Sequence, residues 1–331
     1  MNPVSILYHA DCLDGFGAAY AAWRRFGNRA HYRPLHHGDR WQFAELAGHT
    51  VYLLDFSLPP AELAELATVA ASVTQIDHHV SAMQAWADRL EKGANNCWIY
   101  QAADQRLRLI FNLEKSGARL AWEYFHPDSV LPDLLRHVEA QDLWRFDHPD
   151  TRPFCRALRL RDFAFDTWHE IALSTDDPES ATYQAFITQG DAIEQFLATE
   201  IERLAKSNLC QPVHLRGEPI DALQAVRHSQ KIISDGASAW LAIPGLGINA
   251  NAVFASELGN RLAEQSNSFA LVWQFGADGI VKASLRAQGK VDVALIASRY
   301  GGGGHPNAAG FRLPLAQFSR EILGIPLATS S

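Results

Sequence analysis

Residues 73–79 have the sequence Val73-Thr74-Gln75-Ile76-Asp77-His78-His79, in which an apolar strand pattern runs directly into three side chains that can bind metal. Val4-Ser5-Ile6-Leu7-Tyr8 and Val51-Tyr52-Leu53-Leu54 are two similar apolar runs. Helical patterns at residues 15–26 and 60–71 alternate with the three runs. This alternation is typical of βαβ units, so an α/β fold with a mostly parallel sheet is predicted for this half of the chain.

The second half of the chain has a different pattern. Residues 178–206 contain few glycines and place apolar residues at helical spacing, which predicts a long helix. Residues 270–275 and 280–285 are strand-like and flank an Asp-Gly turn, the pattern of a hairpin. We therefore predict a parallel-sheet domain at 1–180, a helical linker at 181–207 and a smaller mixed-sheet domain at 208–331.

Composition restricts the class of protein. The 331 residues carry a net charge of −8, so a bulk basic field cannot account for binding of a polyanion, and a phosphate substrate would need local cations. The four cysteines form no Cys-x-x-Cys pair. The first nine residues do not resemble a signal peptide, and no apolar run approaches a membrane span. We expect a reduced, cytoplasmic protein without a membrane partner.

Acids and histidines recur where the predicted strands end, and in an open parallel sheet ligand sites lie beyond the carboxyl ends of the strands. A lone Asp after a strand is usually a helix N-cap, but three such strand ends together favour a site. The oxygen and nitrogen ligands suit manganese, magnesium, iron or zinc, and two such ions, roughly 3.5–4 Å apart, can activate water for displacement at phosphorus. The ligand-type residues expected at this edge are His9, Asp11, Asp14, Asp55, Asp77, His78 and His79.

A second signal lies near the end of the sequence. Gly301-Gly302-Gly303-Gly304 is followed by His305-Pro306-Asn307. Consecutive glycines expose backbone N–H groups and let a phosphate approach closely. A flexible linker is the alternative interpretation, but the strand-like flanking segments favour an ordered turn.

These motifs together resemble the DHH phosphoesterase superfamily in the form that has a DHH-associated C-terminal domain. The naming motif corresponds to residues 77–79, the first motif to residues 9–15, the second to Asp55 and the C-terminal signature to residues 302–305. The fourth motif, a single Asp after a helix, is best matched by Asp142, with Asp147 as the other candidate.

The resemblance implies a role for each matched residue. His9 and Asp11 would hold one metal ion, Asp55 would bridge both, Asp77 would orient a ligand and His79 would face the substrate phosphate. The second ion would be held by Asp14, His78 and Asp142, and the substrate would be bound by Arg286, Gly302, Gly303, Gly304 and His305. One departure is that the family spaces its first two aspartates two apart, whereas Asp11 and Asp14 are three apart. Either the loop bulges or Asp11 is not a ligand.

The resemblance implies hydrolysis of phosphate esters with two divalent ions, manganese above all. Within the family the chain is most similar to the nano-RNases, which cleave short oligonucleotides and dinucleotides and in some cases act on 3′-phosphoadenosine 5′-phosphate. The acidic net charge favours a short substrate over a long strand. The alternatives are a phosphatase acting on pyrophosphate or short polyphosphate, and a non-catalytic nucleotide-binding protein. No protein partner is inferred, and a homodimer is left open.

Overall fold

The structure is a computed structural model that describes residues 2–36, 39, 42–221, 231–234 and 238–325. The chain divides into two compact units, Met1–Gln195 and Phe196–Ser331. The division falls within the predicted linker segment 181–207, inside one long helix, Ala181–Ala205. None of the helices in these described ranges is both long enough and apolar enough to cross a membrane.

A seven-stranded sheet forms the centre of the first unit. Its strands are β1 (Val4–His9), β2 (Ala30–Leu35), β3 (Thr50–Leu54), β4 (Ser72–Asp77), β5 (Glu91–Lys92), β6 (Trp98–Gln101) and β7 (Leu107–Phe111). The order is β2-β1-β3-β4-β7-β6-β5. The first five strands in that order pair in parallel, and β6 and β5 extend the edge antiparallel.

Helices cover both faces of this sheet. They are α1 (Leu13–Phe26), α2 (Pro60–Val69), α3 (Val80–Gln84), α4 (Gly117–Phe125), α5 (Asp133–Asp142), α6 (Thr151–Leu158), α7 (Phe165–Ser174) and the long α8 (Ala181–Ala205). Neighbouring residues of β1 point to opposite faces, so Ile6 joins the core around α1 and Leu7 joins the core around α2. The strands are therefore apolar on both faces, as the continuous apolar runs of the sequence indicate.

The second unit contains a mixed sheet with helices packed against it. The strands are β8 (Gln211–Ile220), β9 (Ile232–Ser234), β10 (Ala239–Asn249), β11 (Phe269–Phe275), β12 (Ile280–Ala287), β13 (Gly303–His305) and β14 (Ala308–Pro314). The helices are α9 (Ala255–Ser266), α10 (Val293–Ser298) and α11 (Leu315–Phe318). The order is β13-β14-β12-β11-β10-β8, with β9 on β10, and β10 pairs with β11 in parallel.

The predicted α/β class is confirmed, with a mostly parallel first sheet and a mixed second sheet. The predicted hairpin is also confirmed, because β11 and β12 pair antiparallel from Phe269 opposite Ala287 to Phe275 opposite Val281. The antiparallel edge of the first sheet, β5 to β6, was not predicted. Its segments are short and interrupted by exposed polar residues, so their apolar pattern is weak.

Candidate metal centre

The carboxyl ends of three adjacent parallel strands bring the predicted ligands together. In the sheet order β1-β3-β4, the strands end at His9, at Leu54 just before Asp55, and at Asp77 just before His78. Because neighbouring parallel strands end at the same edge, side chains distant in sequence meet there. The structure thus gathers at this edge the ligand-type residues that follow the three strands, with the exception of Asp11.

Asp55 lies at the centre of this group and is 2% exposed. Its backbone has a φ of 52°, a left-handed conformation that is uncommon outside glycine but tolerated by aspartate. Asp55 Oδ2 is 3.5 Å from His9 Nδ1, and Asp55 Oδ1 is 3.2 Å from His78 Nε2. The carboxylate therefore directs one oxygen towards each of two histidines.

His78 is surrounded by carboxylates. Its Nε2 atom lies 3.6 Å from Asp14 Oδ2 and 3.5 Å from Asp142 Oδ2, in addition to Asp55 Oδ1. His78 and Asp14 are buried, whereas the Asp142 side chain is 27% exposed. Asp142 is the last residue of α5. Ligand-type atoms from a strand end, the first turn of α1 and the end of α5 are thus close together.

Asp14 also contacts the beginning of α4. Its carboxylate accepts hydrogen bonds from the backbone N–H groups of Gly117 at 2.6 Å and Ala118 at 2.9 Å. A Cβ atom on Gly117 would lie 2.5 Å from the Asp55 Cβ and 2.8 Å from its Oδ1. Glycine is therefore required for α4 to approach the carboxylates this closely. The positive end of the helix dipole lies against two acidic side chains.

Asp77 contacts His79 directly. His79 Nδ1 is 2.7 Å from Asp77 Oδ1, and the backbone N–H of His78 donates to the same oxygen at 2.7 Å. The hydroxyl of Ser57 donates to the other oxygen, Oδ2. Asp77 is fully buried, and the His79 side chain is 27% exposed. Asp77 thus fixes the ring of His79, which keeps access to solvent.

The loop after β1 does not place Asp11 where a metal ligand was expected. Asp11 has a φ of 54°, its side chain is 86% exposed, and its Oδ2 lies 3.7 Å from His36 Nε2. The structure does not bring Asp11 into the group. Cys12 instead places its Sγ within 4.8 Å of ligand atoms of His9 and Asp55. The left-handed residue at position 11 redirects the chain, so the following side chain faces the carboxylates.

The charges of this buried group influence one another strongly. Burial raises the pKa of Asp14 well above its usual value, and the neighbouring Asp55 and Asp142 carboxylates raise it further. Burial also raises the pKa of Asp55, but interactions with the His78 and His9 rings outweigh this effect and hold it well below the usual value. Burial lowers the pKa of His78, but the surrounding carboxylates raise it well above 6.5. The pocket therefore favours positive charge.

The residues present fit divalent cations. Asp55 Oδ1 is buried and lies 3.2 Å from His78 Nε2, a nitrogen that can also bind a metal ion. Ligand atoms that share one ion at about 2.0–2.2 Å lie about 3.0–3.6 Å apart, which is the range found around His78 Nε2. Within the described ranges, three groups have ligand atoms within 4.8 Å of one another: Asp14, His78 and Asp142; His9, Cys12 and Asp55; and Asp55, Asp77, His78 and His79.

The second unit contains the other predicted site residues. Gly303 to His305 form β13, and a Cβ atom on Gly302 would lie 2.0 Å from the Gly310 carbonyl oxygen, so the glycine segment is an ordered part of the sheet. His305 and Arg286 both pair with Ala308, from opposite sides of β14. Residues directly opposite in antiparallel strands face the same side, so His305 and Arg286 share one face.

Arg286 is held in place by neutral partners. Its Nη2 donates to Ser256 Oγ and its Nη1 to the Leu285 carbonyl oxygen, both at 2.9 Å. Burial lowers the pKa of Arg286, and Glu257 raises it in part. A half-buried guanidinium with these partners is suited to binding an anion.

Four residues of the metal centre were missed by the sequence analysis as contributors. Cys12 lies between Asp11 and Asp14 and was not predicted to be a ligand. Ser57, Gly117 and Ala118 act through contacts with residues far away in sequence. Ser116 before a helical pattern is an N-cap signal in the sequence. In the structure, the Ser116 hydroxyl accepts a hydrogen bond from the backbone N–H of Arg119. That signal predicts the helix start but does not show which carboxylate lies beside it.

A family model for the DHHA1 domain matches residues 240–324 of the second unit. The chain is 28% identical over 323 residues to the uncharacterized protein R106 of Acanthamoeba polyphaga mimivirus, and the aligned region covers 92% of this chain and 66% of the relative. It is 25% identical over 322 residues to oligoribonuclease NrnB of Bacillus subtilis (strain 168), which covers 92% of this chain and 71% of the relative. The chain therefore spans a little under two thirds of the length of the first relative.

Among solved structures, the chain is similar to RecJ from Thermus thermophilus in complex with Mn²⁺. The TM-score is 0.46 and the identity 14%, with 96% of this chain and 50% of that chain covered.

Proposed function

We propose that this chain, which belongs to the DHH superfamily and carries the DHH-associated C-terminal domain, is a metal-dependent phosphodiesterase that cleaves short oligonucleotides, including dinucleotides. The observation that carries the proposal is Asp55, a buried carboxylate whose two oxygens face two different histidines. A single-ion site would not need a carboxylate in that central position. A site for two ions favours one there, because a carboxylate between two ions about 3.5–4 Å apart can bind each with one oxygen.

In this proposal, Asp55 is shared by two ion positions. His9 would contribute to one position. Asp14, His78 and Asp142 would contribute to the other, since their ligand atoms lie together. Divalent ions held there, manganese above all, would supply Lewis acidity to the phosphoryl oxygens and lower the pKa of an attacking water.

The protein's own groups would position the phosphate. Asp77 holds the His79 ring through Nδ1, so the ring has a fixed orientation and its Nε2 would contact a phosphoryl oxygen. The hydrogen bond from Ser57 to Asp77 limits the freedom of that carboxylate. The backbone N–H groups at the start of α4 keep Asp14 in place. Rigid supporting contacts of this kind keep reacting groups in a productive geometry.

A short substrate is favoured by the charge of the chain and by one relative. The net charge of −8 disfavours the extended basic groove that binding of a long strand requires. The similar protein from Bacillus subtilis is named an oligoribonuclease. We propose that Arg286 and His305, on one face of the second sheet, bind a phosphate other than the one that reacts. A cytoplasmic location is part of the same proposal.

The substrate proposal is tested with a panel of substrates in the presence of Mn²⁺. The panel contains a linear dinucleotide, a longer RNA, 3′-phosphoadenosine 5′-phosphate, a cyclic dinucleotide and pyrophosphate. We expect the highest kcat/KM for the dinucleotide. Hydrolysis of pyrophosphate without cleavage of the dinucleotide would instead support a small-molecule phosphatase. Nucleotide binding without hydrolysis of any substrate would support a non-catalytic protein.

The bridging role is tested with Asp55→Asn. Asparagine tolerates the left-handed conformation of residue 55, so the substitution removes the charge with little change in the backbone. We expect the loss of both ions by metal analysis and the loss of hydrolysis. The matched control is Asp128→Asn, which removes an exposed carboxylate. Two ions per chain still bound in the Asp55 variant would contradict a shared ligand.

A further inference from the structure

Cys12 occupies a position at the metal centre that the sequence analysis assigned to Asp11. Cys12 is the N-cap residue of α1 and has an extended backbone, with φ −120° and ψ 135°. The preceding Asp11 is left-handed and its side chain is exposed to solvent. Cys12 Sγ, a nitrogen of His9 and an oxygen of Asp55 lie within 4.8 Å of one another. One sulfur, one nitrogen and one oxygen donor therefore converge on one point.

The Asp55 carboxylate supports a cation at this point. Asp55 is 2% exposed, and its Oδ2 lies 3.5 Å from His9 Nδ1. A buried carboxylate is costly unless a positive charge balances it, and a metal ion is a common way to supply that charge. The alternative for Cys12 is that its thiol packs as a small apolar side chain, as many half-buried cysteines do. The convergence with His9 and Asp55 favours ligation.

We propose that the Cys12 thiolate, together with His9 and Asp55, is a ligand of one of the two metal ions, so that this position selects a borderline or soft divalent ion. Thiolates favour zinc, ferrous iron and cobalt over magnesium and manganese. The other position, formed by Asp14, His78 and Asp142, offers nitrogen and oxygen donors from these three residues. The two positions therefore differ in chemistry, and the preference for manganese applies to the second position. The inference rests on the proposed metal-dependent function and specifies one of its two ion positions.

The test uses cobalt, because Co²⁺ bound to a thiolate gives an intense charge-transfer absorption in the near ultraviolet that nitrogen and oxygen ligands do not give. The metal-free full chain is titrated with Co²⁺, and bound cobalt is counted by equilibrium dialysis. We expect the charge-transfer band in the wild type and in Cys97→Ser, and its loss in Cys12→Ser. Cys97 is a suitable control because it is another half-buried cysteine of the same unit.

A second variant separates ligand chemistry from folding. Cys12→Asp replaces sulfur with oxygen and should still bind two ions per chain. When Zn²⁺ and Mn²⁺ compete for this variant, we expect the ratio of bound Zn²⁺ to bound Mn²⁺ to fall by about 10–100-fold relative to the wild type. Removing a hydrogen-bond partner of a metal ligand already changes metal affinity by about 10–100-fold, and replacing the ligand atom should do at least as much. In the wild type, Zn²⁺ should also protect Cys12 from alkylation while Cys97 stays reactive, which is measured by mass spectrometry without any variant.

The outcomes distinguish the two proposals. A wild type that binds cobalt without a charge-transfer band, or a band that persists in Cys12→Ser, would overturn the thiolate ligand and leave the proposed hydrolase intact. A wild type that binds no divalent ion would overturn both. Alkylation of Cys12 at the same rate with and without Zn²⁺ would also overturn the ligand assignment.

Discussion

Gly117→Ala is the sharpest perturbation of the metal centre, because it adds one methyl group between α4 and Asp55. The added Cβ would lie 2.5 Å from Asp55 Cβ, 2.8 Å from Oδ1 and 2.9 Å from Cγ. Ordinary contacts between such atoms are about 3.5–4.0 Å. Either the helix start or the Asp55 side chain must therefore move by roughly 1 Å.

The expected effects on stability and on activity differ in size. Crowding of a buried contact costs about 1–3 kcal/mol, and the better helix propensity of alanine offsets up to about 1 kcal/mol of that. We expect the free energy of unfolding to fall by no more than about 3 kcal/mol. A displacement of about 1 Å in a catalytic group can lower activity about 100-fold. Asp14 is affected as well, because it accepts a hydrogen bond from the N–H of Gly117.

The assay combines urea unfolding, metal counting and kcat/KM for a dinucleotide. The control is Gly247→Ala, whose Cβ would lie 2.6 Å from Val213 Cγ1 and 3.4 Å from Val213 Cγ2. It crowds a buried contact of the second unit and does not contact a carboxylate. We expect a comparable loss of stability in both variants and a large loss of activity in Gly117→Ala alone. Equal losses of activity, or normal activity in Gly117→Ala, would refute the argument from close approach.

Three further predictions follow from individual side chains. Arg286→Ala and His305→Ala should each raise KM for a dinucleotide by about tenfold to a hundredfold, because a charge-assisted contact contributes about 1.5–3 kcal/mol. Pyrophosphate hydrolysis should change less. Equal losses for both substrates would contradict a separate phosphate contact. Asp11→Asn should keep both ions and leave kcat/KM within about twofold, because the side chain is 86% exposed; loss of one ion would show that Asp11 is a ligand. Burial lowers the pKa of His137 to about 4, so the folded state favours the neutral ring. The stability that the neutral ring contributes is complete above about pH 6.5, the ordinary pKa of histidine, and is lost as the pH falls towards 4. The free energy of unfolding should therefore fall by about 2 kcal/mol more between pH 7 and pH 5 in the wild type than in His137→Gln, as measured with urea; equal decreases would contradict this assignment.

Strong local patterns were sufficient to predict most of the fold. The runs at residues 4–8, 51–54 and 73–76 are apolar on both faces, so each strand was recognisable without knowledge of its neighbours. The rule that ligands meet at the carboxyl ends of parallel strands then places Asp55 and His78 together from the sequence alone. Short antiparallel strands such as Trp98–Gln101 depend on pairing with Leu107–Phe111, and sequence periodicity does not show pairing.

The metal centre depends on backbone details that residue spacing does not determine. The left-handed conformation of Asp11 decides whether Asp11 or Cys12 faces Asp55, and aspartate adopts that conformation only in a minority of loops. The contact between Asp14 and the start of α4 joins residues about a hundred positions apart. Such contacts arise from the packing of α1 against α4, which is a property of the folded chain.

The charge balance of the candidate metal centre supports the proposal that divalent ions bind there. Asp14 and Asp142 place oxygens within 4.8 Å of each other, which corresponds to a repulsion of about 3 kcal/mol at an effective dielectric constant of about 20. Asp55 adds a third carboxylate, and His78 supplies one positive charge in their midst when it is protonated. A divalent cation would supply the remaining charge, and His78 would then be neutral, because an imidazole ligates metal in its neutral form. The carboxylates repel one another without an ion and would each attract a bound ion, so ion binding and folding of this edge would stabilise each other.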